Sequence, residues 1–158
     1  MKKRIIYTLV PILLIGAFFA YFYAQAQEPY EQAEEKAIAI AKEKAAITSV
    51  SDFYIYNSRS TYYTILGENK KKQQVVVWIP KGKEKKITIK KASDGITEKQ
   101  AIQKLEAEKN PEEILSVRLG MEKIGPVWEL IYLDQNNQLN YYYVLFENGE
   151  WWKKIEHI

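Results

Sequence analysis

The side chains able to do acid–base or covalent chemistry are few in this sequence and badly spaced for it. His157 is the only histidine, so neither a histidine-based triad nor a histidine metal cluster can be assembled, and a solvated tail residue is the expectation. There is no cysteine, which removes thiol chemistry and Cys-based metal sites and leaves stability to packed cores. The seven glycines are scattered, with no phosphate-cradling loop among them. Glu34-Glu35 and Glu112-Glu113 are adjacent carboxylates, but neighbours on a helix do not face one another, and solvated faces explain them. An enzyme, a metal and a cofactor are therefore not expected.

Two groups of residues point instead to binding. Nine lysines fall within the 22 residues from Lys70 to Lys91. Lys70, Lys71, Lys72, Lys83, Lys85 and Lys86 are the candidate contacts for a polyanion, against the plainer reading of solubilising edge and turn residues. The second group is aromatic: Tyr141, Tyr142 and Tyr143, then Trp151 and Trp152. Consecutive strand residues point to opposite faces, so each run puts rings on both sides of its strand. One face must be core. The other is a seam between domains or a surface for a partner, where large aromatics are the usual anchors. Tyr141, Tyr143, Trp151 and Trp152 are the candidates for that surface.

Stepping outward, the longest uncharged stretch is Ile5–Ala24, directly behind Lys2, Lys3 and Arg4. Twenty helical residues cover about the 30 Å hydrocarbon core of a bilayer. Pro11 is tolerated in such a helix, and basic residues are retained on the cytoplasmic side. Residues 1–27 are therefore expected to form a cytoplasmic flank and transmembrane anchor, with the N-terminus inside and the rest of the chain outside the cell membrane. A cleaved signal peptide is the competing reading, because Ala24-Gln25-Ala26 has the small-x-small pattern of a cleavage site. Either way the polyanions within reach of the lysines are lipid headgroups and wall phosphates, not nucleic acid. The formal charge of +3 resides in Lys2, Lys3 and Arg4, while residues 27–94 carry +4 and residues 95–158 carry −4. Two halves of opposite sign suggest two domains.

The pattern of elements repeats that division. Glu28–Ala46 reads as a helix that starts near Pro29, with Ala33, Ala37, Ile40, Ala41 and Ala45 on one thin face. Strands are expected at Ser51–Tyr56, Thr61–Leu66, Gln73–Ile79 and Lys85–Lys91. The third of these is apolar on both faces and so central; the fourth is a lysine-guarded edge with Ile87 and Ile89 inward. Asp94-Gly95 marks a boundary between a domain of residues 28–93 and one of residues 94–158. Thr97 and Gln100 form a capping box for a second helix that buries Ala101, Ile102 and Leu105. Strands follow at Ile114–Leu119, Val127–Leu133 and Gln138–Phe146, with Asn148-Gly149 as a type I′ turn leading into Glu150–Glu156. Helix and four strands occur twice, an α+β pattern with a weak internal repeat at offsets of 64 to 67 residues.

The run Ile96-Thr97-Glu98-Lys99-Gln100-Ala101, then Val127-Trp128-Glu129-Leu130, then Asn148-Gly149 resembles a PepSY domain. An N-terminal anchor followed by two such units resembles the TseB-like cell-wall elongation regulators. The resemblance implies two tandem cystatin-like domains, each a helix cradled by an antiparallel sheet. It further implies a partner in the wall-synthesis machinery, an elongation transpeptidase of the penicillin-binding class. Phe146-Glu147-Asn148-Gly149 departs from the Asp and Thr-Gly of the family's turn, so no ligand role is carried over to that loop. A module that holds wall glycan or an anionic wall polymer, and a peptidase inhibitor of the PepSY kind, are the alternatives.

Overall fold

The computed structural model describes residues 2–82 and 86–156, without the side chains of residues 2–13, Ala20 and Ala24. Residues up to Lys36 form one compact unit and residues from Ala37 onward another. The helix α1 (Lys2–Ala45) begins in the first unit and ends in the second. Pro29 accordingly lies inside a helix rather than at the start of one. In the first unit Leu14, Ile15, Phe18, Phe19, Tyr21, Phe22 and Tyr23 are all exposed. Among the described residues no helix is long and apolar enough to cross a membrane. Most of the expected anchor, Ile5–Ala24, has side chains outside those described.

The second unit holds two antiparallel sheets of four strands. The first runs in the order β1 (Ile47–Asn57), β2 (Thr61–Asn69), β3 (Gln74–Pro80) and β4 (Thr88–Lys91). A 3-10 turn at Ala92–Asp94 and the helix α2 (Glu98–Lys109) lead to the second: β5 (Glu113–Glu122), β6 (Gly125–Leu133), β7 (Leu139–Leu145) and β8 (Trp151–Ile155). Each half is thus a helix followed by a four-stranded meander.

Local chemistry accounts for most of these elements. Thr97 Oγ1 accepts from the Gln100 amide and the Gln100 side chain accepts from the Thr97 amide, so the expected capping box starts α2. Asp134 Oδ1 accepts from the amides of Asn136 and Gln138 and closes the β6–β7 turn. The turn before β8 departs from expectation. Only Gly149 there has a positive φ (69°), whereas a type I′ turn needs two such residues. Phe146 is the reason: its ring is drawn into the core and its backbone exchanges bonds with Pro126 and Ile96, which lengthens the connection. β4 is shorter than the expected Lys85–Lys91, and Ile89 is exposed rather than inward because β4 is the last strand of its sheet and, among the described residues, no further strand pairs with it.

Burial explains why β3 is central. Val75, Val77 and Ile79 face Ala37 and Ala41 of α1, whose small side chains let the helix lie close to the sheet. Val76 and Trp78, on the opposite face, join Ala101 and Leu105 of α2 and Leu119, Trp128, Leu130, Tyr142, Val144 and Phe146 of the second half. The two sheets therefore share one apolar cluster across the turn at Ala92–Asp94. Lys90 of the basic half is ion-paired with Glu147 of the acidic half.

α1 ends on Ala46, held in the left-handed region at φ 53°, where an L-residue other than glycine is strained. Ala46→Gly keeps the bond that the Ala46 carbonyl accepts from the Lys70 amide. It should raise stability by roughly 0.5–1 kcal/mol in urea unfolding; a loss of stability would mean that the freer unfolded chain outweighs the relieved strain.

Candidate functional site

The face of the second sheet opposite α2 carries the densest polar and aromatic constellation. Strand register sets Arg118 of β5 beside Glu129 of β6, Glu129 beside Tyr143 of β7, and Tyr143 beside Lys153 of β8. These four residues form one row across all four strands. Glu129 is only 5% exposed and uses both oxygens: Oε1 meets Arg118 Nη2 at 3.1 Å and Oε2 accepts from the Tyr143 hydroxyl at 2.8 Å. A buried carboxylate in a central strand needs such partners, because desolvation without them costs several kcal/mol. Burial first, and the Glu129 carboxylate second, push the Tyr143 phenol well above its ordinary range.

Aromatic rings extend this row. Tyr141 stacks on Tyr143 at 6.5 Å between ring centroids, and Trp152 meets Tyr143 edge-on at 5.8 Å. The Lys153 ammonium lies over both rings, 5.5 Å from Tyr143 and 6.0 Å from Trp152. Trp152 reaches this face because the ladder slips between Tyr143 and Val144; strict alternation would have put it with Tyr142 in the core. Tyr56 of β1 closes one end of the face. Its ring lies against Gly120, where an added Cβ would come within 2.4 Å, and its hydroxyl donates to Glu122 Oε1 at 2.8 Å.

The aromatic candidates are thus divided. Tyr142 is core, Tyr143 is buried within the polar row, Tyr141 and Trp152 are half-buried, and Trp151 is 53% exposed. Neither tryptophan is fully buried, so the sheet's core does not depend on an indole from β8. The polar members Arg118, Glu129 and Tyr56 were not among the sequence candidates. The available signal was Glu129 itself, a lone carboxylate inside the apolar run Val127–Leu133.

Among the described residues the candidate lysines do not converge. Lys70, Lys71 and Lys72 are exposed in the β2–β3 turn, with Lys72 paired to Glu68 at 2.9 Å. Lys86 is exposed near the opposite end of β3, about 20 Å away at 3.3 Å per strand residue. Lys83, Lys85 and His157 lie outside the described residues. Among the described residues no three His, Cys, Asp or Glu side chains gather as metal ligands.

One carboxylate near the C-terminal end has a clear electrostatic role. Glu156 receives Lys154 at 2.8 Å and Lys109, from the last turn of α2, at 2.9 Å. Lys154 first and Lys109 second lower its pKa from 4.5 to about 2. A depressed carboxyl stabilises the fold above its unfolded pKa and loses that contribution as pH falls through the folded value. NMR titration should therefore show Glu156 ionised down to about pH 2; an ordinary midpoint would mean that the two ammonium groups do not hold it in solution.

Comparison with known proteins places this arrangement. Residues 36–80, which run from the end of α1 through β3, match the cell wall elongation regulator TseB-like domain. The motifs that carried the PepSY resemblance, Ile96–Ala101 and Val127–Leu130, lie outside that match. The chain is 31% identical over 160 residues to the probable cell wall elongation regulator TseB of Bacillus subtilis (strain 168), covering 98% of each sequence. The solved structure of the YpmB protein from Bacillus subtilis superposes with a TM-score of 0.70 at 32% identity, over 77% of this chain and 95% of that one. The chain belongs to the family of TseB-like cell wall elongation regulators.

Proposed function

We propose that the protein is held in the cell membrane by residues 5–24, with its N-terminus in the cytoplasm and its two sheets outside. There it regulates wall elongation by docking on a penicillin-binding transpeptidase, with no catalytic step of its own. The observation that carries this reading is the outer face of the second sheet. Tyr141, Trp152 and Lys153 lie there over the Arg118–Glu129–Tyr143 row, in which both Glu129 oxygens are engaged. Half-buried aromatics on a rigid strand, with a polar network beneath, suit a protein interface better than a reaction centre. The anchor is supported by the uncharged run itself and by its exposed members Leu14, Ile15, Phe18, Phe19, Tyr21, Phe22 and Tyr23. A helix apolar all round is stable where lipid covers it.

Photocrosslinking tests the docking. A benzophenone amino acid at Tyr141, in the full chain, should capture one membrane protein identifiable as a transpeptidase, and Trp152→Ala should weaken that capture by about tenfold. Retention of the protein on purified wall material, without a protein crosslink, would overturn the reading in favour of a wall-polymer module. Mass spectrometry of the membrane-bound chain tests the anchor: the full-length mass is expected, and a mature N-terminus near Gln27 would show cleavage.

A further inference from the structure

The topology builds a second basic cluster that is not apparent from the order of the sequence. The β1–β2 turn and the β5–β6 turn come from different sheets and meet at one end of the compact unit. Between them is a cavity of 110 Å³ lined by Ser58, Arg59, Ser60, Glu122 and Lys123, among others. Arg59 and Lys123 are both exposed, and among the described residues neither takes part in an ion pair. The carboxylate among the lining residues, Glu122, accepts from the Tyr56 hydroxyl at 2.8 Å. Lys81 adds a further cation: its amide donates to the Thr61 carbonyl at 2.8 Å, which holds its backbone beside the same turn. Among the described residues, these three cations stand against one carboxylate that is already engaged. Arg59, Lys123 and Ser58 line this notch together with Tyr62 and Met121, and its volume suits one tetrahedral anion.

We infer that the notch between Arg59 and Lys123 binds a phosphate group of an extracellular polyanion. An arginine fork and a lysine point charge lining one notch complement a phosphodiester oxygen pair. A repeating polyphosphate would bring its next group toward Lys81. This site is separate from the aromatic face and does not rest on the transpeptidase reading. Its chemistry is shared by wall-polymer phosphates and by lipid headgroups, so the test distinguishes the two.

The full chain in neutral detergent is titrated with inorganic polyphosphate at low salt. Saturable binding is expected, and Arg59→Gln combined with Lys123→Gln should weaken it about tenfold. The charge-retaining pair Arg59→Lys with Lys123→Arg should bind within about threefold of the parent. Both positions are exposed, so an unchanged Tm verifies folding of each variant. The decisive comparison is Lys70→Gln, Lys71→Gln and Lys72→Gln together. That triple variant removes more charge, but from the other end of the sheet, and should weaken binding by less than about twofold. An equal or larger loss in the triple variant would overturn the site in favour of long-range attraction, and so would the absence of saturable binding. Flotation that prefers phosphatidylglycerol vesicles over phosphatidylcholine ones, and loses that preference with Arg59→Gln and Lys123→Gln, assigns the phosphate to lipid. Polyphosphate binding without that preference assigns it to a soluble or wall polymer.

Discussion

Replacing Trp78 with alanine should melt both sheets in a single step. The indole is fully buried, meets the Phe146 ring edge-on at 5.5 Å, and belongs to the cluster formed with α2 and the second sheet. Truncating a buried tryptophan costs about 3–5 kcal/mol, a large part of the 5–15 kcal/mol that holds an ordinary domain together. Trp78→Phe should cost much less, about 1 kcal/mol. The ring is kept, and the indole Nε1 that is lost finds no acceptor among the described residues. Urea unfolding followed at once by near-UV and far-UV circular dichroism provides the measurement. If Trp78→Ala left a cooperative transition from residues 95–158 intact, the halves would be independent domains that merely touch.

Glu129→Ala has the next largest expected effect. The substitution strands two partners: a guanidinium nitrogen at 3.1 Å and a phenol at 2.8 Å lose their shared acceptor in a site that is only 5% exposed. Breaking a buried pair by removing one member costs about 3–5 kcal/mol. Arg118 keeps a third of its side chain in water, so about 2–4 kcal/mol is expected here. Tyr143→Phe removes one donor and leaves the Arg118 pair, which should cost about 1–2 kcal/mol. A double-mutant cycle of the two should show coupling above about 0.5 kcal/mol, and strict additivity would mean that water already satisfies Glu129. Because Tyr141 and Trp152 rest on this row, the same substitutions should loosen the aromatic face.

What could be read from residue order was local. Thr97 with Gln100, the two-sided apolar run of β3, and the alanine face at Ala37 and Ala41 each encode their structure within a few residues, and each appears as expected. The features that escaped depend on pairs far apart in the chain. Glu129 is a lone carboxylate in an apolar run, but its partners Arg118 and Tyr143 are set beside it only by strand register. Arg59 and Lys123 met only when two hairpin turns from different sheets came together. The lysine run shows the opposite: Lys70, Lys71 and Lys72 are close to Lys86 in sequence but lie toward the other end of one strand. Alternation assigned Trp151 and Trp152 to opposite faces, but a slip of the ladder between Tyr143 and Val144 decided which face received Trp152.

The two-sided burial of β3 also sets an order of events during synthesis. A chain emerges N-terminal part first, so α1 and the first sheet are complete before α2 and the second sheet exist. Until then Val76 and Trp78 have no cover, and the half-built molecule presents an apolar strand face to its surroundings. Such a face is a template for misassociation. The nascent chain must therefore be shielded by another protein for as long as it takes to add some sixty further residues, or finish so quickly that no second copy arrives. A slow codon stretch between β4 and β6 would consequently do more harm than the same delay after β7.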